Sequence, residues 1–248
     1  MSTMNNFPAE RHADWMEEPL LVPLAALDPD QAGHAPGLHM RVLRTRAERQ
    51  LIAGLRRHAA FQVEEDLGLD LKPLEQTRDD IGLVTAVFRE DLPVATIRFV
   101  PTGHGLTGAE RLLAKVPFDA YFLGEGSWEV GRFIMERENR RPDLLLECLT
   151  LTFQELIKLK DVRHFHATTT LEMARLWRRI GTRTVVTTVG QSGGRYALVH
   201  GRVEDVAAAL HLPLPTAEPP GRSACGSSLS PGQGEALPGM GSTVAVHA

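Results

Sequence analysis

The stretch WEVGRFIMERENRR, residues 128–141, places an acid, Glu129, and a base, Arg132, inside what reads as a β-strand. A carboxylate at the edge of a cleft can act as a general base, taking a proton from a reacting group directly or through water. In a regular strand Trp128, Val130, Arg132 and Ile134 face one side, and Glu129, Gly131, Phe133 and Met135 the other. The two ionisable groups would then lie on opposite faces. A bulge at Gly131 would bring both to one cleft. It would also free backbone N–H groups to donate to the oxyanion of a tetrahedral intermediate. The alternative is an edge strand with its polar groups in water. Against that, the next segment is the most apolar in the chain, with Leu144, Leu145, Leu146, Leu149, Leu151, Phe153, Leu156 and Ile157. A crossover of that kind belongs in the middle of a sheet, where an ionisable pair needs partners or has a task.

Arg137, Arg140 and Arg141 stand immediately before Pro142, where this apolar helix begins. The free N–H groups of a helix start and adjacent guanidinium groups suit an anion, so the functional reading of Arg140 and Arg141 is a cradle for a phosphate or pyrophosphate. The bland alternative is a solvated loop. Other signals are weaker. His164 and His166 share a strand face, but no third ligand stands at motif spacing, so no metal site is expected. The loop TGHGLTG (102–108) follows a hairpin strand and lacks the Lys-Ser/Thr of a phosphate loop, which leaves a mobile lid as the better reading. There is no G-x-S-x-G nucleophile elbow.

The elements that must position these residues alternate. A strand at 38–45 leads to an amphipathic helix at 46–67, then a hairpin of strands at 81–88 and 94–100. A short helix near 109–115 precedes the strand 128–135. A helix from Pro142 to about Lys160 leads to a strand at 162–169 and a helix at 171–181. A final strand pair and a short helix close the domain. This is an α/β order, a mixed central sheet flanked by helices in a single domain, with a parallel crossover at 128–169. The 248 residues contain 43% hydrophobic and 23% charged side chains, enough for an ordinary core, and the formal net charge of −4 disfavours nucleic-acid binding through bulk charge. No apolar run reaches the ~18 residues of a membrane span. Two cysteines and no signal-peptide pattern fit a cytoplasmic protein. Residues 1–37 are expected to be loosely ordered and 213–248, rich in Pro, Gly and Ser, to be disordered, which leaves 38–212 as the folded domain.

Read in order, the segments are Arg57 with Phe61 in RRHAAF, Glu75 and Asp80 in LEQTRDD, Arg98 in RFVPTG, and Glu129, Arg132 and Phe133 in WEVGRF. In this order the sequence resembles the acyl-homoserine-lactone synthases, which are built on the GNAT acyltransferase fold, and their relatives the N-acyl amino acid synthases. The resemblance spans roughly 38–212. It implies a GNAT-like domain and an acyltransferase that forms an amide from a thioester. Carried over by position, Glu129 is the base and Arg132 and Phe133 belong to the motif after it. Arg57 and Phe61 line the amine pocket, and Glu75 and Asp80 match two acidic positions of the family. Arg98 joins the charged cluster that holds the N-terminal region over the cleft. No tightly bound cofactor is implied. The donor is an acyl-carrier-protein or acyl-CoA thioester, and the arginines in RENRRPD favour the acidic carrier protein as partner. The amine is S-adenosylmethionine, for quorum-sensing signal synthesis, or a free amino acid. Thr77 stands where the family has a third acid, and Leu69 where the synthases place a Trp that helps contact S-adenosylmethionine. These departures favour the amino acid, while the segment order favours the lactone synthase. A reading of another class is a non-catalytic acyl-binding regulatory module.

Overall fold

The structure, a computed structural model, describes residues 37–57, 61–116 and 118–214. The expected N-terminal extension and C-terminal tail lie almost wholly outside the described residues. Among those described, seven strands form one mixed sheet in the order β1-β2-β3-β4-β5-β7-β6. Strands β1 (Leu38–Val42), β2 (Leu83–Arg89), β3 (Leu92–Pro101) and β4 (Ser127–Met135) pair antiparallel, each with the next. Strand β5 (His164–Thr170) is parallel to β4, and β7 (Arg195–Arg202) and β6 (Arg183–Val189) complete the sheet antiparallel. The strand with Glu129 is therefore central, and the parallel crossover stands where the apolar helix predicts it.

That helix, α6 (Pro142–Leu159), starts at Pro142, whose missing N–H costs nothing at a first turn. Its stripe of Leu144, Cys148, Leu149, Phe153, Leu156 and Ile157 is buried on one face of the sheet. It packs there on Leu83, Ile97, Phe99, Trp128, Val130 and Phe165. Helices α7 (Leu171–Arg179) and α8 (Val203–Ala209) extend this layer through Ala174, Trp177 and Val206. A separate apolar cluster joins Leu67, Leu69, Leu71 and Phe122 to Tyr196 and Leu198 and to α5 (Gly108–Leu113), whose Leu112 and Leu113 are buried.

Two differences from the sequence reading matter for the site. The expected helix at 46–67 is broken into α1 (Arg46–Arg49), a 3-10 turn at Gln50–Ile52, α2 (Ala53–Arg57) and α3 (Gln62–Asp66). The break seats Ile52 in a cluster with Leu43, Val84, Ala86 and Phe88 and leaves Leu51 exposed. Second, Glu75–Ile81 is a helix, α4, where the sequence reading has only an acidic segment. Its buried face is ionic, so hydrophobic periodicity gives no sign of it.

Candidate active site

Strand β4 is irregular where the charged pair sits. Thr96 of β3 pairs with Ile134 and Arg98 with Gly131, so two residues of β4, Arg132 and Phe133, oppose Ile97 alone. The residue in the left-handed region is Arg132, with φ of 51°, and not Gly131. The expected bulge therefore exists one position later than the glycine suggests, because Gly131 keeps its pairing with Arg98. The extra residue resets the side-chain alternation. Trp128 and Val130 before it, and Phe133 and Met135 after it, pack on the α6 side. Glu129 and Arg132 both turn to the opposite side, toward α2 and α4. Phe133, assigned to substrate binding by its motif, is thereby placed in the α6-side packing and away from the cleft.

Helix α4 supplies the partners. Glu75, Arg78 and Asp79 lie at i, i+3 and i+4, which is one helical face. Arg78 is 1% exposed and bridges Glu64 Oε1 at 2.8 Å and Glu129 Oε1 at 2.7 Å. Arg98, wholly buried, reaches Glu75 Oε2 at 2.7 Å and Asp79 Oδ1 at 3.0 Å. Arg56 donates to Asp79 Oδ2 at 2.5 Å, and Arg132 Nε lies 2.9 Å from Glu75 Oε1. The Arg132 guanidinium stacks over Phe61, 4.1 Å from the ring centroid. Asp80 lies outside this lattice: one residue further round the helix, it pairs with Arg49 at 2.6 Å and is half exposed. The buried acid on this face beside Glu75 is Asp79.

Glu129 itself is 3% exposed. Its Oε1 accepts from Arg78, and its Oε2 accepts from the backbone N–H of Gly108 and, at 3.4 Å, of Ala109. The start of α5 can come this close only because residue 108 has no side chain. A Cβ there would lie 2.8 Å from Thr168 Oγ1 and 3.0 Å from Glu129 Oε2. A carboxylate offers about four acceptor positions, so roughly one remains for a proton or a water. Burial alone would depress the Arg78 guanidinium, but Glu129 and Glu64 reverse that and hold it above its ordinary value. Arg132 goes the other way. Burial, assisted by Arg98 and Arg56, holds it below its ordinary value against the pull of Glu75.

Glu129 also marks where the sheet opens. Strands β4 and β5 pair only at Ser127–His164, Trp128–Phe165 and Glu129–His166. Beyond that vertex β5 stays with β7 and β4 with β3, so the β5-facing edge of β4 from Val130 onward has no strand partner among the described residues. At Gly131 an added Cβ would meet nothing within 4 Å, which makes this an open approach to the backbone. On the α2/α4 side a cleft of about 490 Å³ is lined by Arg57, Phe61, Glu75 and Arg132, among others. The structure thus gathers Glu129, Arg132, Arg98, Glu75, Phe61 and Arg57 around one region. The loop 102–107, read as a mobile lid, is tied down instead. The N–H groups of Gly103, Gly105, Leu106 and Thr107 all donate to the Glu110 carboxylate.

Arg140 and Arg141 stand apart, at the foot of α6. Arg141 is exposed, with its Nη2 3.4 Å from Asp143, and Arg140 Nε donates to the Met135 carbonyl at 3.3 Å. His166 is buried with no hydrogen-bond partner on either ring nitrogen, and burial pushes it down to about 3. His164 and His200 share a hydrogen bond of 3.0 Å beside it. Among the described residues no group of three or more His, Cys, Asp or Glu could hold a metal ion. No helix among them is long and apolar enough to cross a membrane.

Sequence reading passes over Arg78, Glu64 and Arg56 and gives Asp79, one of the acids of LEQTRDD, no role of its own. The available signal was the i, i+3, i+4 spacing of Glu75, Arg78 and Asp79, which is that of a helix with one charged face.

No family model matches the chain, and no curated protein is similar to it in sequence. Solved structures do share its fold. The N-acyl amino acid synthase FeeM from uncultured soil microbes matches with a TM-score of 0.54 at 13% identity, over 71% of this chain and 96% of FeeM. The AHL synthase LasI matches with a TM-score of 0.52 at 14% identity, over 73% of this chain and 98% of LasI. The domain has the GNAT-like fold that the sequence resemblance implies.

Proposed function

We propose that the domain is an N-acyltransferase that moves a fatty acyl group from a carrier thioester to an amine. The observation that carries this reading is the parting of β4 and β5 at Glu129, with an unpaired, bulged strand edge on one side and a charged amine-sized cleft on the other. The thioester arm lies along the open edge of β4, where backbone groups near Gly131 hydrogen-bond it and face the developing oxyanion. The amine nitrogen attacks the thioester carbonyl carbon and forms the C–N bond. Its proton passes to the free acceptor position of Glu129, directly or through one water. The tetrahedral intermediate collapses with cleavage of the C–S bond, and the thiolate leaves and is protonated. The products are an amide and a free thiol.

Arg140 and Arg141 meet the donor's phosphate or the acidic face of its carrier protein, which makes acyl carrier protein the preferred donor over free CoA. With S-adenosylmethionine as the amine this step is the first half of acyl-homoserine-lactone synthesis, a quorum-sensing role. With a free amino acid it yields an N-acyl amino acid. The burial of Leu69 in an apolar cluster, 1% exposed, favours the second, because no aromatic side chain projects from that position.

Purified protein incubated with acyl-carrier thioesters and either S-adenosylmethionine or amino acids tests the proposal, with thiol release followed by absorbance and products by mass. Amide product with stoichiometric thiol is expected. Acyl binding without thiol release would leave a non-catalytic acyl-binding module.

A further inference from the structure

The cleft over β4 holds more positive charge than the acyl-transfer step uses. Arg46, Arg49, Arg56, Arg57, Lys72 and Arg132 line it, against Glu75 and Asp79 in the same wall. Both acids are already engaged by the buried Arg98. Arg49 has Asp80 at 2.6 Å, and Lys72 has Glu65 at 2.6 Å. Arg46 and Arg57 form no ion pair among the described residues. Beyond this, Nε and Nη1 of Arg49 and Nε and Nη2 of Arg56 are buried with no hydrogen-bond partner. The Arg49 side chain is only 9% exposed. These four N–H groups are covered by the protein itself, so they add positive charge to the wall without offering a contact, and the cations that face the cleft without an ion pair are Arg46 and Arg57.

The cleft is correspondingly poor at holding a second cation. Phe61 is the aromatic side chain among its described lining residues. That ring has the Arg132 guanidinium at 4.1 Å and the Lys72 ammonium at 5.9 Å. An aromatic face that would stabilise a sulfonium is therefore already taken by the chain's own cations. Building on the acyl-transfer reading above, we infer that the acceptor is an α-amino acid with an anionic side chain, an amino dicarboxylate, and not a sulfonium-bearing amine. Its two carboxylates match the two lining cations without ion pairs, Arg46 and Arg57. Its ammonium lies toward the Arg132 end of the cleft, beside the route to Glu129. A sulfonium substrate brings two positive charges and one negative into this wall of cations. A dicarboxylate brings the reverse.

The test compares glutamate, glutamine and S-adenosylmethionine with the full-length protein, both as acceptors for an acyl-carrier thioester and as ligands in titration calorimetry without donor. Charge-assisted hydrogen bonds to the extra carboxylate place the glutamate constant roughly 10-fold or more below that of glutamine. Raising the salt from low to about 0.5 M narrows that gap. S-adenosylmethionine gives neither product nor heat. Arg57→Gln and Arg46→Gln each move the glutamate-to-glutamine ratio toward one. Equal constants for glutamate and glutamine, or preference for S-adenosylmethionine, overturn the inference while leaving acyl transfer intact. If no amine releases thiol, the acyl-transfer reading fails, and the calorimetric ratio still decides the charge preference of the cleft.

Discussion

Replacing Glu129 by Gln separates the chemical role proposed for this carboxylate from its structural one. The carboxylate accepts on both oxygens, from Arg78 on one and from the Gly108 and Ala109 N–H groups on the other. A glutamine has one acceptor oxygen and an NH₂ that only donates. If its oxygen faces Arg78, the NH₂ meets the backbone donors of α5. If it is flipped, the NH₂ meets the guanidinium. Breaking one side of a buried ion pair costs about 3–5 kcal/mol, and Arg78 keeps Glu64 at 2.8 Å, which places the change near 3 kcal/mol. For a domain of this size that lowers Tm by about 6–12 °C. Loss of a general base lowers the rate by on the order of 10²–10⁴. The assay is single-turnover thiol release, run well below the variant's Tm so that unfolding cannot imitate lost chemistry. Glu129→Asp, which keeps the charge and withdraws it by one methylene, retains measurable rate. A Gln variant with a lowered Tm and a rate within about threefold of wild type, well outside the general-base range, would make Glu129 a clasp between β4, α4 and α5 and nothing more.

Arg140→Ala with Arg141→Ala raises the Michaelis constant for the acyl-carrier thioester and flattens its salt dependence, leaving that for the amine unchanged; wild-type donor constants at low and high salt would end the donor assignment. Gly131→Leu leaves Tm within a degree or two yet raises the donor constant about tenfold, since its side chain enters space that nothing fills; an unaltered constant means the donor does not pass there. Burial pushes His166 down to about 3 and His200 to about 4, so both are neutral in the fold and take up protons only on unfolding in mild acid. Their contribution is fully present above about pH 6.5 and falls by up to roughly 1.4 kcal/mol per pH unit for each imidazole as the pH drops toward the folded values. Denaturant midpoints are therefore flat from about pH 8 to 7 and decline between about pH 6 and 5, and His166→Leu reduces that slope; an equal slope in the variant refutes the assignment. Glu110 is held below the usual carboxylate range, since burial pushes it up but the hydrogen bonds from Thr107 and the loop N–H groups outweigh this. Glu110→Gln removes charge-assisted bonds worth about 2 kcal/mol or more and speeds proteolysis within 102–107; unchanged cleavage would show that the loop is held by other contacts.

What the sequence conveyed and what it hid both follow from how burial is written in it. Helix α6 was legible because its buried face is apolar at helical spacing and Pro142 marks its start. Helix α4 was not, because its buried face is Glu75, Arg78 and Asp79, whose desolvation is compensated by partners remote in sequence: Glu129 is 51 positions from Arg78, and Arg98 is 19 from Asp79. A hydrophobic pattern registers only one side of that compensation. The same pattern cannot tell the buried Asp79 from the half-exposed Asp80 beside it. Neighbours on a helix point about 100° apart, so a one-residue slip turns an inward ion-pair partner into an outward one. The bulge shows the limit most sharply. Gly131 signalled that β4 is irregular, but the position of the extra residue is set by the register with β3 and by what anchors the strained residue. A non-glycine residue in the left-handed region costs roughly 1–2 kcal/mol. Arg132 bears it because its guanidinium stacks on Phe61 and pairs with Glu75, contacts that exist only once α4 and the segment before α3 have packed on β4. Bulge, cleft and buried ion network are thus one cooperative unit. Removing the Phe61 ring should release Arg132 and disturb the path to Glu129 at the same time, although Phe61 touches neither β4's backbone pairing nor the carboxylate.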